Sequence, residues 1–192
     1  METFYHNDIS LKIFEGIYCP AEDSLLLAEY LEKQDLQGKN VLEVGTGSGF
    51  VSIVAAKKGA EVDACDINPG AIECAEINAK SNNAKINFFT SDLFSNVKGS
   101  YDIIIFNPPY LPEDEDDSIA GKDIIYSGGK EGKETIERFL KGAHGYLKKG
   151  GYILLITSSL TGKLKHSFSS EVVARKKVWM EELILHKLKI KG

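Results

Sequence analysis

Short apolar runs alternate with amphipathic helical segments along most of this 192-residue chain. Strand–helix alternation of this kind is typical of a parallel sheet that is covered by helices on both faces. In such sheets the ligand binds in the crevice outside the carboxyl ends of the strands. The pattern predicts helices over 23–33, 49–58, 69–80, 132–147 and 162–170, and strands over 39–44, 61–65, 84–90, 102–106, 151–157, 171–180 and 182–190.

The composition is that of a globular protein, with 43% hydrophobic and 27% charged residues. No repeat or low-complexity linker divides the chain, so we expect one domain over residues 1–192. The longest uncharged apolar runs are too short to span a bilayer, and the first ten residues lack the apolar stretch of a signal peptide. The three cysteines show no metal-ligand spacing, which predicts reduced thiols, a cytoplasmic location and no metal site.

Charge is distributed unevenly, with a net charge of −10 over residues 1–160 and +5 over residues 161–192. The overall charge of −5 argues against a protein whose main task is to bind phosphate backbones. Five consecutive acidic residues, 113–117, form the sharpest charge run. Such a run is either a solvated loop or a surface that faces a partner, and the sequence leaves both interpretations open.

A glycine-rich segment, Glu-Val-Gly-Thr-Gly-Ser-Gly over residues 43–49, connects a predicted strand to a predicted helix. Glycine is favoured where the backbone turns tightly or where a ligand approaches too closely for a Cβ atom. The spacing is GxGxG and differs from the GxGxxG fingerprint of dinucleotide sites. Glu43 stands directly before the loop, and its carboxylate suits a ligand with a cationic group better than it suits a pyrophosphate.

Two further carboxylates follow the next two predicted strands. Asp66 lies 21 residues after Gly45 and is placed to accept hydrogen bonds from ribose hydroxyls. An N-cap role for Asp66 is the alternative, although Asn68 could cap the helix that Pro69 begins. Asp92 could accept a hydrogen bond from the amine of an adenine. Together with the glycine loop, these residues predict a site for S-adenosylmethionine, which has a ribose, an adenine, an amino group and a sulfonium but no phosphate.

The tetrapeptide Asn-Pro-Pro-Tyr, residues 107–110, follows the predicted strand 102–106. Its prolines stiffen the backbone and remove amide donors, which leaves the Asn107 side-chain oxygen and the Pro108 carbonyl as acceptors. Two fixed acceptors beside the ring of Tyr110 could hold a planar –NH2 group. Positioning and electrostatics would then carry methyl transfer to a nitrogen that is a weak nucleophile. A simple strand terminator is the alternative interpretation.

These motifs, together with Tyr-x-Pro-Ala-Glu-Asp-Ser over residues 18–24, resemble the HemK-type protein-(glutamine N5) methyltransferases, in their archaeal and eukaryotic branch. The resemblance extends from about Tyr18 to the last predicted strands. It implies an α/β Rossmann-like class I methyltransferase fold, with a seven-stranded, mostly parallel sheet of order 3-2-1-4-5-7-6 in which strand 7 is antiparallel. The bacterial members carry an additional N-terminal helical domain, which we do not expect in this chain.

The resemblance also implies a set of site residues. Asn107, Pro108 and Tyr110 would be catalytic, and Asn107, Pro108, Pro109 and Tyr110 would bind the substrate amide. The S-adenosyl-L-methionine donor, which leaves as S-adenosyl-L-homocysteine, would be held by Ser24, Glu43, Gly45, Thr46, Gly47, Asp66, Ile67, Asp92, Leu93 and Asn107.

The family methylates the glutamine of the Gly-Gly-Gln loop in class I translation release factors, so a release factor is the expected substrate. Relatives in this branch pair with a small zinc-binding activator protein that adds to the sheet, and such a partner is expected by resemblance. Methylation of adenine N6 in DNA or RNA, or of a protein lysine, remains an alternative. The acidic run and the lack of a second domain argue against a nucleic-acid substrate. A nicotinamide oxidoreductase and a non-catalytic binding module are disfavoured by the GxGxG spacing and by the intact motifs.

Overall fold

A computed structural model of the chain describes residues 2–108 and 133–191. Its strands are β1 (Glu2–His6), β2 (Ile9–Ile13), β3 (Asn40–Val44), β4 (Glu61–Asp66), β5 (Ile86–Thr90), β6 (Tyr101–Phe106), β7 (Leu147–Ser158), β8 (Phe168–Val178) and β9 (Glu181–Ile190). Its helices are α1 (Glu22–Glu32), α2 (Phe50–Lys57), α3 (Pro69–Ser81) and α4 (Glu134–Ala143).

Seven strands form one sheet in the order β5-β4-β3-β6-β7-β9-β8. Neighbours from β5 to β7 are parallel, whereas β9 runs antiparallel to both β7 and β8. Numbered from β3, this is the order 3-2-1-4-5-7-6 with an antiparallel seventh strand, so the predicted topology is confirmed. The parallel strands all finish at one end of the sheet, which we call the carboxyl edge.

The two faces of the sheet are buried in separate hydrophobic clusters. In β6, Ile103 and Ile105 point to one cluster while Ile104 and Phe106 point to the other, as side-chain alternation in a strand requires. Helices α1 and α2 cover the first cluster and α4 covers the second. Because both faces are apolar, the strands read as almost continuous hydrophobic runs, which is why the sequence reveals them.

A two-stranded hairpin, β1–β2, lies outside the main sheet and was not anticipated from the sequence. Its Ile9, Leu11 and Ile13 are buried in the first cluster. The side chain of Asn78 on α3 pairs with the backbone of Lys12, accepting from its N–H at 2.8 Å and donating to its carbonyl at 3.0 Å. The amide of Asn78 thus satisfies a backbone N–H and a carbonyl on the edge of β2, as the backbone of a neighbouring strand would.

Two sequence predictions for the carboxyl-terminal third are wrong. No helix occupies 162–170, because β8 begins at Phe168 and residues 162–167 have no regular structure. The helix predicted over 132–147 ends at Ala143, and Leu147 already belongs to β7. In both places an apolar side chain that looked helical by spacing is buried instead as part of a strand, since Phe168 and Leu147 pack in the second cluster.

Candidate active site

Backbone hydrogen bonds connect the ends of β3, β4 and β5 at the carboxyl edge. The N–H groups of Gly45 and Thr46 both donate to the carbonyl of Cys65, at 2.8 and 3.0 Å. The N–H of Ser91 donates to the carbonyl of Asp66 at 2.9 Å. The glycine loop and the two strand ends that carry the predicted acidic residues therefore form one continuous surface.

Glu43 is buried beneath the glycine loop, and its carboxylate supports the loop from below. Its Oε2 accepts hydrogen bonds from Thr46 Oγ1 at 2.7 Å and from the Ser52 N–H at 3.0 Å, and also from the Ser52 hydroxyl. Burial raises the pKa of Glu43 to about 7, although these hydrogen bonds act in the opposite direction. Sequence reasoning missed Ser52, because a serine inside an apolar helix carries no signal of its own.

The raised pKa of Glu43 predicts how folding stability depends on pH. Between its ordinary value of 4.5 and its folded value of about 7, the folded protein binds a proton that the unfolded chain has lost. The free energy of unfolding therefore falls as pH rises through this window, by up to about 3 kcal/mol from this group. We expect Glu43→Gln, which is neutral at every pH, to flatten the loss of Tm between pH 5 and pH 8.

The matched control is Glu73→Gln, which removes an exposed carboxylate from α3. Thermal unfolding followed by circular dichroism at several pH values measures both variants. If Tm depended on pH equally in wild type and in Glu43→Gln, the result would contradict a buried Glu43 that binds a proton in the folded protein.

Asp66 is held in place by two backbone N–H groups. Its Oδ2 accepts from the Gly47 N–H and its Oδ1 from the Asn68 N–H, each at 2.9 Å. Burial raises the pKa of Asp66, and the backbone hydrogen bonds oppose that effect. Asn68 caps α3 by accepting from the Gly70 N–H. The alternative interpretation of Asp66 as the N-cap is therefore wrong. Each carboxylate oxygen retains acceptor capacity toward a ligand.

Two glycines of the loop differ in what surrounds them, although both have positive φ angles. A Cβ atom at Gly49, with φ +84°, would lie 3.1 Å from the Cα of Ala75 on α3. A Cβ atom at Gly47, with φ +53°, would have no atom within 4 Å among the described residues. Gly49 is therefore required for helix packing, whereas Gly47 faces open space at the edge where a ligand can approach.

Asp92 lies beyond β5, and its partner comes from α4, which packs in the second cluster together with Leu93 and Phe94. Both of its carboxylate oxygens accept from Nη2 of Arg138 on α4, at 3.1 and 2.9 Å. The next residue, Leu93, has a left-handed backbone with φ +47°, and Ile67 is exposed at the end of β4. The Asp92 carboxylate is thus paired with Arg138, and within residues 2–108 and 133–191 no hydrogen bond joins this carboxylate to another predicted site residue. No sequence signal identified Arg138.

Asn107 follows β6 and is oriented by a chain of hydrogen bonds from α1. Tyr18 OH donates to Asp23 Oδ1 at 2.7 Å, and the same oxygen accepts from the Ser24 hydroxyl at 3.2 Å. Asn107 Nδ2 donates to Ser24 Oγ at 3.5 Å. The Oδ1 atom of Asn107 is buried, and no donor among the described residues reaches it. A buried acceptor of this kind costs about 1–3 kcal/mol unless a ligand supplies the donor.

A family model described as "Methyltransferase small domain" matches residues 15–131. A candidate protein N5-glutamine methyltransferase of Methanocaldococcus jannaschii is 48% identical over 186 residues, covering 92% of this chain and 93% of that protein. The chain belongs to the HemK-type methyltransferases. These enzymes are class I methyltransferases that take their methyl group from S-adenosylmethionine, so the predicted enzyme class and donor are confirmed.

Two further comparisons agree with this family. The release factor glutamine methyltransferase of Streptococcus pneumoniae is 34% identical over 155 residues, covering 76% of this chain and 55% of that protein. A chain of the solved Mtq2–Trm112 complex of E. cuniculi superposes with a TM-score of 0.70 at 24% identity, covering 92% of this chain and 99% of that chain. At that identity the superposition shows the fold alone.

Several predicted features of this HemK-type methyltransferase fall outside the described residues. Pro109, Tyr110 and the acidic run 113–117 are among them, whereas Pro108 is described and is buried. Within 2–108 and 133–191, no group of three or more His, Cys, Asp or Glu side chains could hold a metal ion. No helix in these ranges is long and apolar enough to cross a membrane.

Proposed function

We propose that this enzyme methylates the side-chain amide nitrogen of a glutamine in the Gly-Gly-Gln loop of a class I translation release factor. One observation carries the proposal: Asn107 Oδ1 is a buried acceptor with no donor among the described residues. A primary amide brings two N–H donors in a plane, which is the complement of such an acceptor. The names of the relatives from M. jannaschii and S. pneumoniae support the same acceptor group.

The amide lone pair is delocalised into the carbonyl group, so an amide nitrogen is a poor nucleophile. Accepting its hydrogens increases the electron density on nitrogen and fixes its direction of attack. Because Asn107 Nδ2 donates to Ser24 Oγ, the Oδ1 atom of Asn107 points away from Ser24. We expect it to face the substrate amide, and it is already oriented before substrate arrives. This preorganisation, rather than a strong base, is what the described residues offer to catalysis.

The donor supplies an electrophilic methyl group on a sulfonium. The described residues fit it, because Gly47 leaves open space at the loop and Asp66 presents acceptors next to it. We assign the ribose to Asp66, the adenine to the region of Ile67, Asp92 and Leu93, and the methionine portion to the glycine loop. The full proposed donor set is Ser24, Glu43, Gly45, Thr46, Gly47, Asp66, Ile67, Asp92, Leu93 and Asn107.

Adenine N6 and a lysine amine are the competing acceptors. Adenine presents the same planar amine as glutamine, but the overall charge of −5 opposes a phosphate backbone. A lysine ammonium must first lose a proton, and Asn107 is not a base that could remove it. A release factor acts in translation, so with this function we expect the enzyme in the cytoplasm.

Methyl transfer from labelled S-adenosylmethionine tests the function. The acceptors are a class I release factor, the same factor with its loop glutamine replaced by alanine, and an adenine-containing oligonucleotide. We expect label on the intact factor and none on the glutamine variant. Label on the oligonucleotide alone would replace glutamine by adenine as the acceptor.

An activator subunit is the second part of the proposed function. Strand β5 is an edge of the sheet, so one side of its backbone is unpaired by any described strand. Its Ile86 and Phe88, together with Ala84, Ala79 and Lys80, line an open groove with a volume of about 390 Å³. A small protein that adds a strand to β5 would cover both the free backbone and the groove. The solved complex of Mtq2 with Trm112 supports a protein partner for this chain.

We expect co-expression with such an activator to increase turnover and Tm of the wild type, since a partner that binds only the folded state stabilises it. Ile86→Ser should weaken the complex at least tenfold by isothermal titration calorimetry. The exposed residue Tyr5, on the separate hairpin β1–β2, provides the control Tyr5→Ser. Full activity of the isolated enzyme, unchanged by the activator, would remove the subunit from the proposal.

A further inference from the structure

Three exposed apolar side chains project from the carboxyl edge beside the proposed active site. Trp179 and Met180 form the turn between β8 and β9; Trp179 is fully exposed and Met180 is 84% exposed. Leu160 follows the end of β7 and is 53% exposed. We call Leu160, Trp179 and Met180 the apolar tip. Exposed apolar side chains that lie together on an otherwise polar surface mark sites of interaction.

The apolar tip is held in a fixed shape by polar contacts at its base. The Leu160 N–H donates to Ser158 Oγ at 3.0 Å, and the Ser158 hydroxyl donates to Glu181, the residue after Met180. The Ser159 N–H donates to the carbonyl of Glu182 at 2.8 Å. The turn after β7 and the β8–β9 turn are therefore one unit.

The conformation of Trp179 indicates that its side chain is needed where it is. Its φ angle is +37°, in the left-handed region that asparagine and glycine occupy at low cost. A left-handed backbone costs a bulky residue about 1–2 kcal/mol, and full exposure of its indole gains nothing for the isolated chain. A tryptophan in this position is explained by contact with another molecule rather than by folding.

The apolar tip lies within reach of a partner that occupies the proposed active site. Lys176, three residues before Trp179, forms an ion pair with Glu22, which stands two residues before Ser24 on α1. Phe106 at the end of β6 is level with Val172 of β8, three strand spacings or about 14 Å away, and β8 continues about 17 Å farther along the strand to Val178. The two strand ends are therefore about 22 Å apart. A partner surface of about 800 Å², the usual area per side in a stable complex, is about 32 Å across, so one protein that places a loop at Asn107 can also cover the apolar tip.

The side chains at the apolar tip are of the kind found at protein interfaces. Arg175 Nη1 lies 2.5 Å from Glu182 Oε2, and Lys176 is paired with Glu22, so these two cations are neutralised within the chain. Lys163 and Lys177 remain exposed at the rim of the tip, where they can meet acidic side chains of a partner. The centre of the tip presents an indole and a thioether, and tryptophan and methionine are enriched at protein interfaces.

We propose that the apolar tip is a docking surface for the acceptor protein, which binds there through an apolar patch beside its glutamine loop. The inference rests on the proposed function, since it takes the release factor as the occupant. The tip holds the body of the release factor while Asn107 receives its loop. Docking of this kind increases the affinity for the intact acceptor and leaves the chemistry of the bound amide unchanged.

The double variant Trp179→Asn, Met180→Ser tests the docking surface. Asparagine tolerates the left-handed turn, so the hairpin is retained while its apolar side chains are removed. The control is Tyr5→Ser, which removes an exposed aromatic ring from β1. That hairpin contacts the carboxyl-terminal ends of α1 and α2, through His6 to Glu32 and Asp8 to Lys57, at the far end of the sheet.

Two measurements are made on each protein. Steady-state kinetics uses the intact release factor and a short peptide that contains only its glutamine loop, and calorimetry measures binding of the intact factor in the presence of S-adenosylhomocysteine. For the double variant we expect KM for the intact factor to rise about tenfold and binding to weaken equally. Its kcat, and kcat/KM for the peptide, should stay within twofold of wild type, and Tyr5→Ser should match wild type in every measurement.

Three outcomes would overturn the docking surface. These are an unchanged KM and affinity for the intact factor, an equal loss with the peptide, and a wild-type dimer that the double variant dissociates without any effect on KM. Failure of the proposed function looks different: wild type would bind the factor, and the double variant would bind it more weakly, but no label would reach glutamine.

Discussion

Replacing Asn107 by alanine should abolish methyl transfer while leaving donor binding largely intact. The variant removes the buried Oδ1 acceptor and the contact of Nδ2 with Ser24 Oγ. Loss of one preorganised polar contact to the reacting group lowers kcat by about 10²–10³-fold in other enzymes. We expect a loss of this order here, because no described side chain stands ready to replace the acceptor.

The measurement is single-turnover transfer at saturating donor, combined with calorimetric binding of S-adenosylmethionine. Asn87→Ala is the matched control, since it removes an exposed amide whose Nδ2 donates to Asp63 Oδ1 at 2.9 Å, away from the carboxyl edge. Because Asn87 lies on β5, the control is measured without activator, where it should leave kcat unchanged. A kcat for Asn107→Ala within a few-fold of wild type would remove Asn107 from its role in holding the amide.

Asp66→Ala should lower the affinity for the donor strongly and leave kcat at saturating donor nearly unchanged, which is the reverse of the result expected for Asn107→Ala. Two hydrogen bonds from ribose hydroxyls to a carboxylate contribute about 1.5 kcal/mol each, so their loss corresponds to about a hundredfold increase in Kd. The variant also releases the Gly47 N–H, which loosens the loop on which the donor lies. At saturating donor, kcat should recover to near the wild-type value.

Asp63→Asn is the control for this prediction. It lies on the same strand, β4, and accepts from Tyr101 OH at 2.7 Å, so it perturbs the strand without touching the carboxyl edge. Donor binding is measured by calorimetry and stability by thermal unfolding without donor. Donor affinity in Asp66→Ala that equals wild type would contradict the assignment of the ribose to Asp66.

The sheet could be predicted because its central strands are buried on both faces and read as plain apolar runs. The glycine loop, the cap at Asn68 and the strand ends at Asp66 and Phe106 followed from local residue chemistry. The sequence predictions failed where contacts between residues far apart in the sequence determine the secondary structure. Phe168 and Leu147 have the spacing of helical residues, but they are buried as strand residues beneath α4. Hairpin β1–β2 depends on Asn78, which is 66 residues from Lys12, and no local signal reveals that pairing.

The candidate site also has one part that could be predicted from the sequence and one part that could not. The described motif residues that end or follow a strand, among them Asp66, Asp92 and Asn107, lie at the carboxyl edge, since the ends of parallel strands meet there. The contacts that orient those residues could not be predicted. Ser52 beneath Glu43, Arg138 against Asp92, and Tyr18 acting through Asp23 on Ser24 come from other elements, and only the folded chain brings them together.

The contrast between Gly47 and Gly49 has an evolutionary consequence. At Gly49 a Cβ atom would meet the Cβ and the Cα of Ala75 at 3.0 and 3.1 Å, and the φ angle of +84° strains any other residue. Both costs come from the fold itself, so selection for the fold favours this glycine whether or not a descendant still carries out a reaction. Nothing in the described fold crowds Gly47, and asparagine could adopt its backbone angle. Among descendants of this chain, a glycine at position 47 would mark those that remain under selection for catalysis, and its replacement would mark those that have drifted into scaffolds.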